Sequence, residues 1–279
     1  MNTEKTIEEL VKILKSVTQG SVSVALSGSR AKNMFDEESD IDLYMLVENL
    51  KTYDEIYVII SQAADDGFPI YISTAFDSAP YGGSISFYYK GIPIEVTIQQ
   101  FSKAKQRIDD CLEGRFEIIP QTWTSNGYYT FICLSELNSV KPIWESDRFI
   151  ETYKEKLVQY PEKLRKSIIS VFWARSTTWI DNFHYESAIN RGDYLFTSPI
   201  VLHTVLDMIQ VIFALNRVYF PGDKRLDTVL KSLPYCPKSL IENLPFLLQA
   251  STDQKHLKKQ YEILKSVIEE LRIRIDKEN

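Results

Sequence analysis

Two short features of this chain carry residue types that can work on a phosphate. Gly28 and Ser29 form a small-residue turn after a β-branched run, and Asp40 and Asp42 stand one residue apart where the next such run begins. Alternate residues of a strand point to one side, about 6.5 Å apart, so Asp40 and Asp42 project together while Ile41 and Leu43 face the core. Paired carboxylates can share divalent cations. In two-metal phosphoryl chemistry the ions lie roughly 3.5–4 Å apart, one clamping the phosphates and the other activating the attacking oxygen. Magnesium suits such a site because it takes oxygen ligands and shares substrate phosphates.

Gly28 lets the backbone come close to a phosphate, Ser29 offers a hydroxyl and an N–H, and a short helix from Arg30 would aim its N-terminal dipole at the anion. Either half alone reads equally as an ordinary turn or a solvated loop. Their combination in a strand–turn–strand context points to a phosphate cradle feeding a metal site.

The elements that must position these residues follow from periodicity. Ile7, Leu10, Val11, Leu14 and Val17 fall at helical spacing, with Thr6 and Glu9 as a capping box and Gly20 as the end of the helix. Strands are expected at 22–26 and 41–47, with a helical-looking 31–35 between them. A helix over 53–64 precedes a strand at 68–73. Two further strands, 85–89 and 92–98, flank Lys90-Gly91 as a hairpin, and a helix over about 102–111 closes the first region. Residues 116–143 have an ambiguous pattern around Asn126-Gly127 and Pro142 and serve as the interdomain region. Helices then dominate, over 148–159, 161–183, 192–219, 226–232, 237–248 and 253–275. The fold class is α+β: an N-terminal mixed β-sheet with flanking helices over 1–145, followed by an α-helical bundle over 146–279.

Composition narrows the partners. With 279 residues and 44% hydrophobic content the chain can bury two ordinary cores. A net charge of −6 argues against broad nucleic-acid binding and favours small or cationic substrates. Cys111, Cys133 and Cys236 have neither zinc spacing nor a disulfide pattern, which suits a reducing compartment. The start shows no secretion signal, and the apolar stretch 195–215 is interrupted by Pro199, His203, Asp207 and Gln210, reading as a buried helix rather than a membrane span. These features together place the protein in the cytoplasm.

Gly28-Ser29 followed by Asp40-Ile41-Asp42-Leu43 resembles the signature of the polymerase-β-like nucleotidyltransferase superfamily, and within it the aminoglycoside and lincosamide branch. That resemblance implies a third acid on a later strand, and Glu95 in 92–98 stands at the matching position as metal ligand, general base, or both. Ile92, Ile94, Val96 and Ile98 fill one face of that strand and leave Glu95 on the other. A second glycine common among relatives is absent, with Asn33 as its stand-in. The resemblance further implies that 1–145 is the catalytic domain and that 146–279 walls a cleft for substrate and nucleotide. Arg30, Lys224 and Arg217 become nucleotide contacts, although Lys224 and Arg217 read equally as surface cations near a helix C-terminus.

The implied cofactors are two Mg2+ ions, with ATP or another nucleoside triphosphate as co-substrate. The implied activity is transfer of AMP to a hydroxyl of a small molecule, an aminoglycoside or lincosamide antibiotic among the candidates. The alternative is a toxin–antitoxin or regulatory module of the same fold that acts on a protein partner.

Overall fold

A computed structural model describes residues 3–31, 39–76, 79–122 and 124–278. The chain forms two compact units, each made of two segments: Met1–Cys111 with Cys133–Gln159, and Leu112–Ile132 with Tyr160–Asn279. The expected division at 145/146 therefore falls inside the first unit, which the chain leaves after Cys111 and re-enters at Cys133.

The first unit opens with α1 (Thr3–Ser16), β1 (Thr18–Leu26), the single turn α2 (Gly28–Ala31) and β2 (Ile41–Leu50). It continues with α3 (Tyr53–Ala63), β3 (Tyr71–Ser73), β4 (Gly83–Tyr89), β5 (Ile92–Gln100) and α4 (Phe101–Leu112). After β6 (Ile118–Ile119) and β7 (Tyr128–Tyr129), which belong to the second unit, α5 (Ile132–Ser139), β8 (Lys141–Glu145) and α6 (Phe149–Lys156) complete the first.

Six strands lie in the order β3-β4-β5-β2-β1-β8. The central pair β2 and β5 is parallel and every other pair is antiparallel. One sheet face carries Val24, Ile41, Leu43, Met45, Ile85, Ile94, Val96 and Ile98, all sealed against Leu10, Leu14, Ile56 and Ile60 of α1 and α3. This apolar layer forces the alternate, polar residues of the same strands onto the opposite face.

Two local expectations are corrected. Thr6 lies inside α1 and is buried rather than standing before the helix, and Glu9 accepts from the Tyr89 hydroxyl at 3.0 Å and pairs with Lys90. The capping box belongs to α3, where Thr52 Oγ1 accepts from Glu55 N and Glu55 Oε2 accepts from Thr52 N at 2.9 Å. Gly20 does not end α1. It lies within β1 at φ +84°, where the pairing with β2 skips between Gln19 and Val22, a bulge that a left-handed glycine accommodates.

The β4–β5 hairpin turns on Lys90 (φ 54°) and Gly91 (φ 78°), both left-handed as a type I′ turn requires. The Asp65 carboxylate accepts both turn amides, Lys90 N at 2.9 Å and Gly91 N at 2.6 Å, and this holds a lysine in a conformation it disfavours.

In the second unit β6 pairs with β7. The helices are α7 (Glu162–Thr177), α8 (Phe183–Arg191), α9 (Tyr194–Asn216), α10 (Leu226–Ser232), α11 (Lys238–Leu247) and α12 (Gln254–Asp276). The long apolar α9 packs against α7, α8 and α12, which explains its composition. Its buried Asp207 accepts from Arg175 Nε at 3.1 Å and Asn126 Nδ2 at 2.7 Å, so the hairpin turn at Asn126 is tied to the helix core. Phe172 and Tyr185 are fully buried core residues.

Candidate active site

The polar sheet face of the first unit sets two of the three acids by register. Parallel pairing sets Asp42 of β2 beside Glu95 of β5, and the antiparallel hairpin sets Ser86 of β4 beside Glu95. Register partners share a face, so Asp42, Glu95 and Ser86 form one polar row across three strands, with Tyr44, Thr97 and Ser84 in the next. Glu95 is exposed between buried Ile94 and Val96. Asp40 and Asp42 are half-buried.

Asp40 precedes the first residue of β2, yet it reaches the same point as the other two. One carboxylate oxygen each from Asp40, Asp42 and Glu95 lie within 4.8 Å of one another. Three hard oxygen donors at that separation suit a divalent cation such as magnesium.

The turn before this cluster is shaped around it. Ser27 N donates to the Asp42 carbonyl at 2.9 Å, extending the β1–β2 pairing into the turn. Gly28 follows at φ +61°, and a Cβ built there would lie 1.7 Å from Asp42 Oδ2 and 2.5 Å from Cγ. Only glycine fits. The helical turn begins at Gly28 rather than at Arg30 and is anchored by buried Ala31; its extension toward Phe35, and Asn33, lie outside the described residues. Ser29 Oγ is sealed from solvent with no hydrogen-bond partner among the described residues.

Arg30 points back at the backbone of the site. Its Nε donates to the Asp40 carbonyl at 2.7 Å and its Nη2 to the Ser39 carbonyl at 2.6 Å. Arg217 and Lys224 belong to the second unit. Arg217 caps α9 in a left-handed conformation and its guanidinium faces Glu278 at 3.4 Å and Glu162 at 3.6 Å, while Lys224 is exposed in the loop before α10.

Ser86 is a residue that sequence reasoning passed over. The alternation Ser84-Ile85-Ser86-Phe87 is its signal, since a buried Ile85 and Phe87 place both serines on the carboxylate face.

Comparison with known proteins gives two family-model matches and several similar folds. Residues 7–79 match the family model described as a nucleotidyltransferase domain, and residues 132–226 match a domain of unknown function, DUF4037. No curated protein matches. Similar solved structures include a nucleotidyltransferase-like protein from Exiguobacterium sibiricum 255-15, at 7% identity and TM-score 0.49, covering 96% of this chain and 74% of that one. Another is the spectinomycin adenyltransferase AAD(9) from Enterococcus faecialis, solved with ATP and spectinomycin, at 15% identity and TM-score 0.36, covering 95% of this chain and 100% of that one. The segment 7–79 that matches the nucleotidyltransferase domain spans the turn at Gly28 and both aspartates of the site.

Proposed function

We propose that the chain transfers AMP from ATP to a hydroxyl of a small molecule and releases pyrophosphate. The observation that carries this reading is the convergence of Asp40, Asp42 and Glu95 within 4.8 Å beside a turn with no room for a side chain. Asp40 and Asp42, joined by Glu95, would hold two Mg2+ ions. Bound there, the ions would neutralise triphosphate charge and favour ionisation of the attacking hydroxyl.

The protein's own groups do the rest. Gly28 leaves the backbone open to the phosphates. Glu95, the most exposed of the three acids, takes the acceptor's proton as its oxygen bonds to the α-phosphorus and the bond to the pyrophosphate oxygen breaks. A carboxylate enclosed by cations is a weak base, so the exposure at Glu95 favours the base role.

ATP and a small hydroxyl acceptor, with aminoglycosides and lincosamides tested first, follow from the resemblance of the Gly28-Ser29 and Asp40-Ile41-Asp42 motif. The test is transfer of α-phosphate label from ATP to a panel of such acceptors, run beside Asp42→Asn. Label in a small acceptor with the native chain alone supports the reading. Undiminished transfer by Asp42→Asn overturns the carboxylate assignment, and label found only on a protein moves the activity to a protein acceptor.

A further inference from the structure

We infer that Arg30 is a positioning residue for Asp40 rather than a phosphate ligand, an inference that rests on reading Asp40, Asp42 and Glu95 as the metal-binding set. Sheet pairing fixes two of these acids but not the third. The β1–β2 register ends at Leu26 with Leu43, extended by the Ser27 amide to the Asp42 carbonyl, and the β2–β5 register begins at Ile41 with Ile94. Asp40 lies one residue beyond this ladder. Arg30 supplies the hold there: Nε and Nη2, adjacent donors on one edge of a planar guanidinium, take the consecutive carbonyls of Asp40 and Ser39. With the carbonyls on both sides of its Cα tied to one rigid fork, Asp40 has its backbone orientation set, and its carboxylate reaches the oxygens of Asp42 and Glu95. The fork is itself anchored, since it rises from the turn of α2 next to buried Ala31.

Lysine at position 30 would keep the charge and lose the two-pronged geometry, which separates positioning from electrostatics. The full-length chain and its Arg30→Lys and Arg30→Ala variants are titrated with Mn2+ alone, free ion being read by electron paramagnetic resonance, and KM for ATP and kcat are measured in parallel. Arg30→Lys is expected to weaken Mn2+ binding and lower kcat about 10-fold each, as loss of support behind a metal ligand does, with KM for ATP held within about 2-fold. Arg30→Ala moves the same quantities further. Unchanged Mn2+ affinity in both variants overturns the inference, as does a rise in KM for ATP at constant Mn2+ affinity, the mark of a lost phosphate contact. Circular dichroism checks folding, and Arg30→Gln, which retains one donor, replaces a variant that fails to fold. Failure of the underlying reading is distinct: the native chain then binds no Mn2+, or Asp42→Asn binds it equally well.

Discussion

Gly28 and Asp42 approach so closely that a Cβ at position 28 would lie 1.7 Å from the Asp42 carboxylate oxygen. The positive φ of Gly28 adds a second demand on the same residue. Gly28→Ala is therefore expected to do two separable things. Forcing an L residue into left-handed backbone costs about 1–2 kcal/mol of stability, read by urea unfolding. Displacing Asp42 by even 1 Å lowers kcat/KM about 100-fold, far more than the lost stability explains. An activity loss no larger than the loss of folded protein would show that the contact is only structural.

The three acids should separate when neutralised singly. Asp42→Asn removes a half-buried ligand at the β2 end of the polar row and is expected to abolish Mn2+ binding along with transfer. Glu95→Gln acts on the exposed member of the set, and transfer falls about 100-fold to 10,000-fold, the range for loss of a general base, while Mn2+ still binds. Equal loss of Mn2+ binding in both variants would make Glu95 a ligand first.

Much of the site was legible because it depends on local rules. A period of two puts Asp42 on one side of β2 and Ile41 and Leu43 on the other, with Asp40 just ahead of the strand, and Gly28 announces close approach. What was not legible depends on partners distant in sequence. Arg30 holds backbone carbonyls, which carry no residue-type signal. The strand β8 was hidden in the ambiguous 116–143 region because Pro142 and four exposed residues look unlike a strand, yet a sheet edge tolerates both. Residues 112–132 join the second unit without any shift in composition, tied there by Asn126 to Asp207 and by Phe116 and Tyr129 around Phe172.

The β4–β5 hairpin delivers Glu95 and Ser86 to the site, and Asp65 secures its turn. Asp65→Ala hands the two exposed turn amides to water and leaves Lys90 in a left-handed conformation without that side-chain hold. The expected loss is about 1–2 kcal/mol, the range for hydrogen bonds to a charged group reduced by partial exposure. Urea unfolding measures it, and Asp65→Asn, which keeps an acceptor, should recover part of the loss. A neutral Asp65→Ala would mean that the turn sequence suffices by itself.

Glu136 gives the first unit a pH dependence away from the carboxylate cluster. Its Oε2 on α5 is sealed from solvent and has no hydrogen-bond partner among the described residues. Burial raises its pKa above the ordinary 4.5, with Arg107 of α4 pulling in the opposite direction. Because the folded value lies above the unfolded one, the unfolded chain releases this proton first. Stability contributed by the protonated form is present below the ordinary value, is lost as pH rises toward the folded pKa, and then levels off. Glu136→Gln keeps the shape without the charge and has no such slope. Its stability relative to the native chain should therefore increase as pH rises above the ordinary carboxylate value, measured by urea unfolding at several pH values from below that value upward. A difference that stays flat with pH would show that the Glu136 carboxyl ionises alike in the folded and unfolded chains.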